Sequence, residues 1–260
     1  MSDTKLTPRP ERTERTERTT RRTALAEADA RALVRLRDDE SRITGSRRNQ
    51  VTLRDAARGF VNHPSPWMIG TMLVGALVAR LLVGDWRWTD ALVPVVMVAI
   101  FPFVEWVVHV FVLHWKPRSL GPVELDSLLA RKHRAHHADP RDIPLVFIPW
   151  QVLAKLLPVY VAIALLAFPR VGLGLTALAS LGVLGMFYEW THYLIHSDYK
   201  PRTRAYRAVW RNHRLHHYKN EHYWFTVTSA GSADRVLRTY PDPGTVPSSP
   251  TVKALHAREA

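Results

Sequence analysis

Cysteine is absent from this chain of 260 residues. Without cysteine the protein can form no disulfide bond, no thiolate metal site and no cysteine nucleophile. Acidic residues are also few, since 23 aspartates and glutamates face 36 lysines and arginines, giving a formal net charge of +13. A metal ion in this protein must therefore be bound by nitrogen or oxygen, and 13 histidines are available for that role.

Apolar residues are scarce in the first 62 residues, where the triplet Glu-Arg-Thr repeats between residues 11 and 19. A segment with so little apolar surface cannot offset the entropy lost on ordering, so residues 1–62 are predicted to form a disordered, charged tail. Within it, Ala24–Arg37 is predicted as a short helix on the membrane surface. No cleavable signal peptide is expected, because the first 30 residues contain no suitable apolar stretch.

Long apolar stretches appear only after this tail, and as helices each could cross a hydrocarbon core of about 30 Å. They predict an all-α membrane protein with a four-helix transmembrane domain at residues 63–240 and a C-terminal tail at 241–260. The alternative is a soluble protein with four buried helices, but the uncharged runs favour the membrane. Arg80, near one end of the first stretch, is expected to snorkel to the interface. The predicted spans are Trp67–Val83, Ala91–Trp115, Pro144–Phe168 and Val171–Ile195.

Positive charge is distributed unevenly between the segments that connect these spans. Lysines and arginines number 15 before the first span, 6 in the 116–143 connection and 11 after residue 196, but one each near Arg87 and Arg170. The positive-inside rule then places both termini and the 116–143 connection in the cytoplasm. The charge is an orientation and lipid-headgroup signal, so no nucleic-acid partner is expected. The excess of arginine over lysine, with abundant alanine, suggests a GC-rich bacterial genome. The expected location is therefore a bacterial cell membrane.

Ten of the histidines fall into four clusters at spacings that have a geometric meaning. On a helix, residues three to five apart lie about one turn apart and share a face. Each pair and each His-x-x-His-His triplet can therefore direct two or three ring nitrogens at one centre. His63, His222 and His256 lie outside the pattern. The clusters are His109 and His114; His133, His136 and His137; His192 and His196; and His213, His216 and His217.

The clusters also repeat along the chain, because a pair is followed by a triplet twice. Glu105-Trp106 precedes the first pair, and Glu189-Trp190 precedes the second. We expect two half-sites, each formed by one pair and the triplet that follows it, and hence a centre that binds two metal ions. The charge distribution independently brings all ten side chains to the cytoplasmic face of the membrane.

Imidazole ligands suit zinc, iron, copper and nickel. A structural zinc site needs only four ligands and is closed, whereas about five histidines per metal leave a position open for a substrate or oxygen. Acyl chains are the nearest substrates for a centre at the membrane boundary. Redox-active iron can activate O₂ to break an unactivated C–H bond there.

With these clusters the sequence resembles the fatty acid hydroxylase and sterol desaturase superfamily of membrane di-iron oxygenases, over residues 105–240. The four spacings, together with Val227-Thr228-Ser229 and Asp234-Arg235-Val236, are similar to the fatty acid 2-hydroxylase branch. The resemblance implies four transmembrane helices under a cytoplasmic helical cap, with the ten clustered histidines as ligands of two iron ions. Zinc can replace iron in purified protein, because availability differs from that of the working metal.

The implied reaction consumes O₂, two electrons and two protons. Several relatives carry a fused haem domain, but the first 62 residues are too few and too polar for one. The resemblance therefore implies a separate ferredoxin or cytochrome-type electron donor. Because ligating histidines usually donate their other N–H to a carboxylate or carbonyl, Glu105, Glu189 and Asp198 are predicted to support the ligands.

The function predicted from the sequence is hydroxylation of a lipid acyl chain of the fatty acid or ceramide type, with carbon 2 as the expected position. A sterol or carotenoid hydroxylase and an acyl desaturase are alternatives that would share the metal chemistry. A metal transporter or other metal-binding membrane protein is the alternative of another class, although transport favours polar residues deep within several spans.

Overall fold

The computed structural model describes residues 51–256, and most of these are helical. A two-stranded antiparallel hairpin, β1 (Arg118–Leu120) and β2 (Val123–Leu125), pairs Arg118 with Leu125. Single turns at Trp88–Ala91 and Ile143–Leu145 introduce two of the longer helices. The helices are α1 (Leu53–Phe60), α2 (Pro64–Val83), α3 (Leu92–Val108), α4 (Leu128–Ala138), α5 (Trp150–Leu166), α6 (Val171–His196), α7 (Arg204–Tyr218) and α8 (Ser232–Val236).

Four helical segments of the described chain are long and apolar enough to cross a membrane, which confirms the predicted number of spans. Their ends differ from the predicted ends by up to three residues, because three of the segments begin or end in a cap or turn outside the apolar run and two end before the run does. The segments are Pro64–Val83, Trp88–Leu113, Ile143–Leu166 and Val171–His196.

Helix α6 is the centre of the bundle, and α2, α3 and α5 all pack against it. Two glycines allow the close approach. A Cβ atom at Gly174 would collide with the carbonyl oxygen of Ala164 on α5, and one at Gly182 would lie 2.9 Å from the Cβ of Leu73 on α2. Small residues at such crossings let helix backbones pack tightly within a bilayer.

A buried ionic cluster closes one end of the bundle. Arg80 is only 2% exposed. Its guanidinium lies 2.9 Å from Asp90, and Arg170 pairs with both Asp90 and Asp85. The expectation that Arg80 snorkels to the interface was therefore wrong, because a carboxylate on the next span pairs with it inside the protein.

The opposite end of the bundle carries α4 and α7, which follow the ends of α3 and α6. Helix α1 packs there through Ala56 and Phe60, and the C-terminal segment contributes the buried side chains of Val246, Val252 and Leu255. The packed part of the chain thus includes residues 51–62 and 241–256, beyond both domain boundaries drawn from composition. The predicted helix Ala24–Arg37 lies outside the described residues.

Candidate metal centre

Ten buried or half-buried histidines form two groups of five, and within each group the candidate ligand atoms all lie within 4.8 Å of one another. The first group joins the end of α3 to α4 and α7, with its closest rings, His109 and His216, 4.5 Å apart. The second joins α4, α6 and α7. The first group is His109, His114, His133, His137 and His216, and the second is His136, His192, His196, His213 and His217.

The division between the groups differs from the predicted half-sites, so that part of the prediction was wrong. The middle histidine of each triplet, His136 or His216, belongs to the opposite group from the first and last members. The helix explains this, because residues i and i+4 lie about 40° apart around the axis whereas i+3 and i+4 lie about 100° apart. Each triplet therefore contributes two histidines to one group and one to the other.

The pair His109 and His114 owes its geometry to a π-helical turn at His109–Leu113. The amide of His114 donates to the carbonyl oxygen of His109 at 3.0 Å, an i to i+5 bond that brings residues five apart onto one side of the helix. His192 and His196 are four residues apart and lie on a regular α-helix. Both pairs therefore reach one side of their helix, although by different backbone geometries.

The ring nitrogens have the separations that metal ligands need. In the second group, His213 Nε2 lies 3.1 Å from His192 Nε2, 2.9 Å from His196 Nε2 and 3.0 Å from His217 Nε2. Metal–nitrogen bonds of about 2.1 Å place adjacent ligands about 3.0 Å apart. In the first group, the Nε2 atoms of His109, His114 and His133 are buried without a hydrogen-bond partner among the described residues. Both groups therefore fit a metal ion.

Backbone carbonyls, rather than carboxylates, orient several of these rings. His109 Nδ1 lies 2.5 Å from the oxygen of Phe225, His216 Nδ1 lies 2.8 Å from that of Tyr223, and His137 Nδ1 lies 3.1 Å from that of Val252. Such contacts fix the ring and leave Nε2 to face the centre. Backbone acceptors carry no sequence signal, so reasoning from side chains missed them.

The three carboxylates proposed to support the ligands make other hydrogen bonds. Glu105 accepts from the Thr228 amide at 3.4 Å, and Glu189 accepts from Ser65 and from the Ile148 amide. Asp198 pairs with Arg141 at 3.1 Å. All three therefore connect segments around the centre, and the described structure gives none of them a hydrogen bond to a clustered histidine.

A different carboxylate, Asp234, holds the loop whose carbonyls contact the histidines. It is fully buried and accepts from the amides of Phe225 and Thr226, both at 2.9 Å, and from the Thr239 hydroxyl at 2.7 Å. Trp224, in the same loop, has a left-handed φ of 56°, which non-glycine residues rarely adopt. Asp234, in the motif Asp234-Arg235-Val236 that resembles the 2-hydroxylase branch, thus has a structural role. The spacing of the histidines did not reveal it.

Burial keeps the clustered imidazoles neutral. The pKa values of His133, His137 and His217, which lie outside the spans, are held well below the ordinary 6.5, first by desolvation and then by repulsion from neighbouring histidines. A neutral imidazole has a free lone pair, so these residues are prepared to bind a metal ion at neutral pH.

A small apolar cavity of about 40 Å³ lies against both groups, since His133 of the first and His192 of the second line it. Apart from the histidines, its lining contains one charged side chain, Lys132, and one phenol, Tyr188. The remaining lining residues are Leu113, Leu129, Leu145, Val146, Phe147, Ile148 and Pro149.

Four membrane-compatible helices and two groups of five histidines define a helical membrane protein with two adjacent sites that could each hold a metal ion. The fatty acid hydroxylase family model matches residues 94–239, more than half of the chain. The chain belongs to the fatty acid hydroxylase family.

A relative and a solved structure agree with this assignment. The chain is 30% identical over 143 residues to a dihydroceramide fatty acyl 2-hydroxylase of Arabidopsis thaliana, a match that covers 54% of this chain and 57% of the relative. The chain thus spans somewhat more than half of that protein. The fold resembles the solved structure of full-length Scs7p, in which only the hydroxylase domain is visible, with a TM-score of 0.56 and 22% identity over 71% of this chain and 70% of that one.

Proposed function

We propose that this protein hydroxylates the acyl chain of a lipid, using two iron ions held by the ten clustered histidines. The observation that carries the proposal is the pair of five-histidine groups that share one apolar cavity near the ends of membrane-compatible helices. Membership of the fatty acid hydroxylase family supports the same reaction class.

The all-nitrogen ligand sets suit iron, and membership of the fatty acid hydroxylase family favours it as the working metal, although zinc would also bind them in purified protein. When bound, the iron pair supplies activation of O₂, so that with two electrons and two protons one oxygen atom enters a C–H bond and the other leaves as water. Five ligands in each group leave room for that chemistry, unlike a closed structural zinc site.

The chain's own residues position the substrate. Apolar side chains from α4, the turn at His109–Leu113 and residues 145–149 line the cavity, so they can hold a few methylene groups and exclude water. Because the cavity is small and lies at the end of the bundle, the lipid carbons nearest the headgroup would enter it. The name of the plant relative, a fatty acyl 2-hydroxylase, supports attack at the carbon next to the carbonyl.

The proposal includes an orientation and an electron donor. The loop charges favour both termini and the metal centre on the cytoplasmic side. A separate ferredoxin or cytochrome-type protein would deliver electrons there. The catalytic domain of this proposal includes residues 51–256.

An assay with ¹⁸O₂ tests the reaction. Iron-loaded protein in lipid, supplied with a reductant and acyl substrates, should give a 2-hydroxyacyl product that contains one labelled oxygen atom. Protein loaded with zinc serves as the control and should give no product, because zinc has no redox chemistry.

Other outcomes of the assay would assign the protein to a different reaction or substrate class. A double bond without label would make it a desaturase, and label in a sterol or carotenoid would give a different substrate class. Metal translocation across vesicles without any oxidised lipid would indicate a transporter.

A further inference from the structure

Lys132 is a cationic residue of α4 beside the apolar cavity. It lies three residues after Leu129, with which it shares a helix face, and directly before the candidate ligand His133. All three line the cavity that touches both histidine groups. Lys132 itself is exposed, so its flexible stem can hold the ammonium group at the cavity mouth.

The neighbouring cations are engaged elsewhere. Arg134 pairs with the Asp126 carboxylate at 2.5 Å, and Arg131 donates to the Asp126 backbone oxygen at 2.5 Å. Lys132, by contrast, makes no ion pair or hydrogen bond within the part of the chain that the structure describes. No aspartate or glutamate lines the cavity. The mouth therefore presents one uncompensated positive charge.

We propose that Lys132 binds the anionic end of the acyl substrate, and thereby selects acyl lipids that carry a carboxylate or phosphate close to the chain. The inference rests on the proposed function and names its substrate class. An ammonium group at the rim holds the anion in contact with water, while the first methylene groups enter the apolar cavity beside His133 and His192. The same contact fixes which carbons reach the metal centre, because the cavity has room for only a short length of chain.

The test compares substrates that share one acyl chain but differ in headgroup. Iron-loaded Lys132→Gln should raise KM for a free fatty acid or an anionic phospholipid about fivefold, as expected for a partly hydrated ion pair. Its kcat and metal content should remain close to those of the unaltered protein, and a neutral amide substrate should show no change. Lys132→Arg should largely restore KM. Arg131→Gln removes the adjacent charge from a position that does not line the cavity, and it should behave like the unaltered protein.

Direct binding separates this proposal from the proposed function. A fluorescent fatty acid should bind the unaltered, zinc-loaded protein more tightly than Lys132→Gln, and added salt should reduce the difference. A KM effect limited to the fatty acid identifies a carboxylate, and one limited to the phospholipid identifies a phosphate. Equal losses for the neutral amide, or equal effects of Arg131→Gln, would overturn the proposal. Lysine-dependent binding without any hydroxylation would instead refute the proposed reaction and leave the anion site standing.

Discussion

The middle histidine of each triplet decides how the two metal groups are connected. His136 lies on α4 beside His133 and His137 but belongs to the group that contains His192, and His216 crosses in the opposite direction. The rings of His137 and His217 lie 4.2 Å apart, so the two groups also touch directly. Each triplet thus contributes to both groups, and damage to one group should reach the other.

This connection leads to a prediction for the residue scale. Replacing His136 or His216 with alanine should lower metal content below one ion per chain and abolish activity, because each change removes a ligand from one group and disturbs the helix that serves the other. Metal analysis of purified protein measures the effect. His63→Ala, which alters a histidine outside both groups, is the matched control. Full metal occupancy in the His136→Ala/His216→Ala double variant would contradict the prediction.

The lowered pKa values of the buried histidines predict how stability depends on pH. Above about pH 6.5 the imidazoles are neutral in both folded and unfolded chains, so they have no effect. Below that pH the histidines of the unfolded chain bind protons. Those of the folded chain do not, because burial lowers the pKa of His133, His137 and His217. Each such group then removes about 1.4 kcal/mol of stability per pH unit until its lowered pKa is reached.

Unfolding of metal-free protein in detergent between about pH 8 and pH 5 measures this loss. Metal-loaded protein should lose stability only at lower pH, since protons must first displace the ions. Equal stability of the metal-free protein across the whole range would show that the histidines are not buried as neutral groups.

At the scale of an element, the π-helical turn at His109–Leu113 sets the first group. Deleting Phe111, whose side chain is 59% exposed, should restore a regular α-helix and shift His114 by one position in register. The first group should then lose metal, while Phe111→Ala keeps the register and should keep the metal. Metal content and circular dichroism together separate loss of a ligand from loss of the helix. Unchanged metal binding after the deletion would show that the turn is not required.

The elements also show how far the sequence could be interpreted. Apolar length was sufficient to locate four spans, and the charges of the connecting segments were sufficient to predict all ten histidines at one end of the bundle. Spacing did not show that the middle histidines cross, although the angular difference between i+3 and i+4 on a helix contains that information. The Val252 and Phe225 carbonyls could not be predicted, because every residue has one and only tertiary packing selects it.

The domain boundaries drawn from composition lie too far inside the folded region at both ends, for a related reason. These segments contain few apolar side chains, but some of them, such as Phe60, Val246 and Leu255, are buried. Composition counts apolar residues and does not show which of them pack. Deleting residues 1–50, whose repeat offers no apolar or histidine side chains, should therefore leave metal binding intact. Deleting residues 241–260 should abolish it, because Val252 supports His137 at 3.1 Å. Metal content of the two truncations tests this, and the opposite result would place the essential segment at the N-terminus.

At the scale of the whole molecule, the candidate metal centre joins parts of the chain that are far apart in sequence. His137 and His216 are 79 residues apart in sequence, yet their Nε2 atoms lie 3.2 Å apart. A shared ion would close that loop as a covalent cross-link does, and in the chain-entropy account a loop of this length restricts the unfolded state by about 4.5 kcal/mol. In a protein without cysteine the metals would thus take the place of disulfides. Unlike disulfides, these cross-links persist in a reducing compartment.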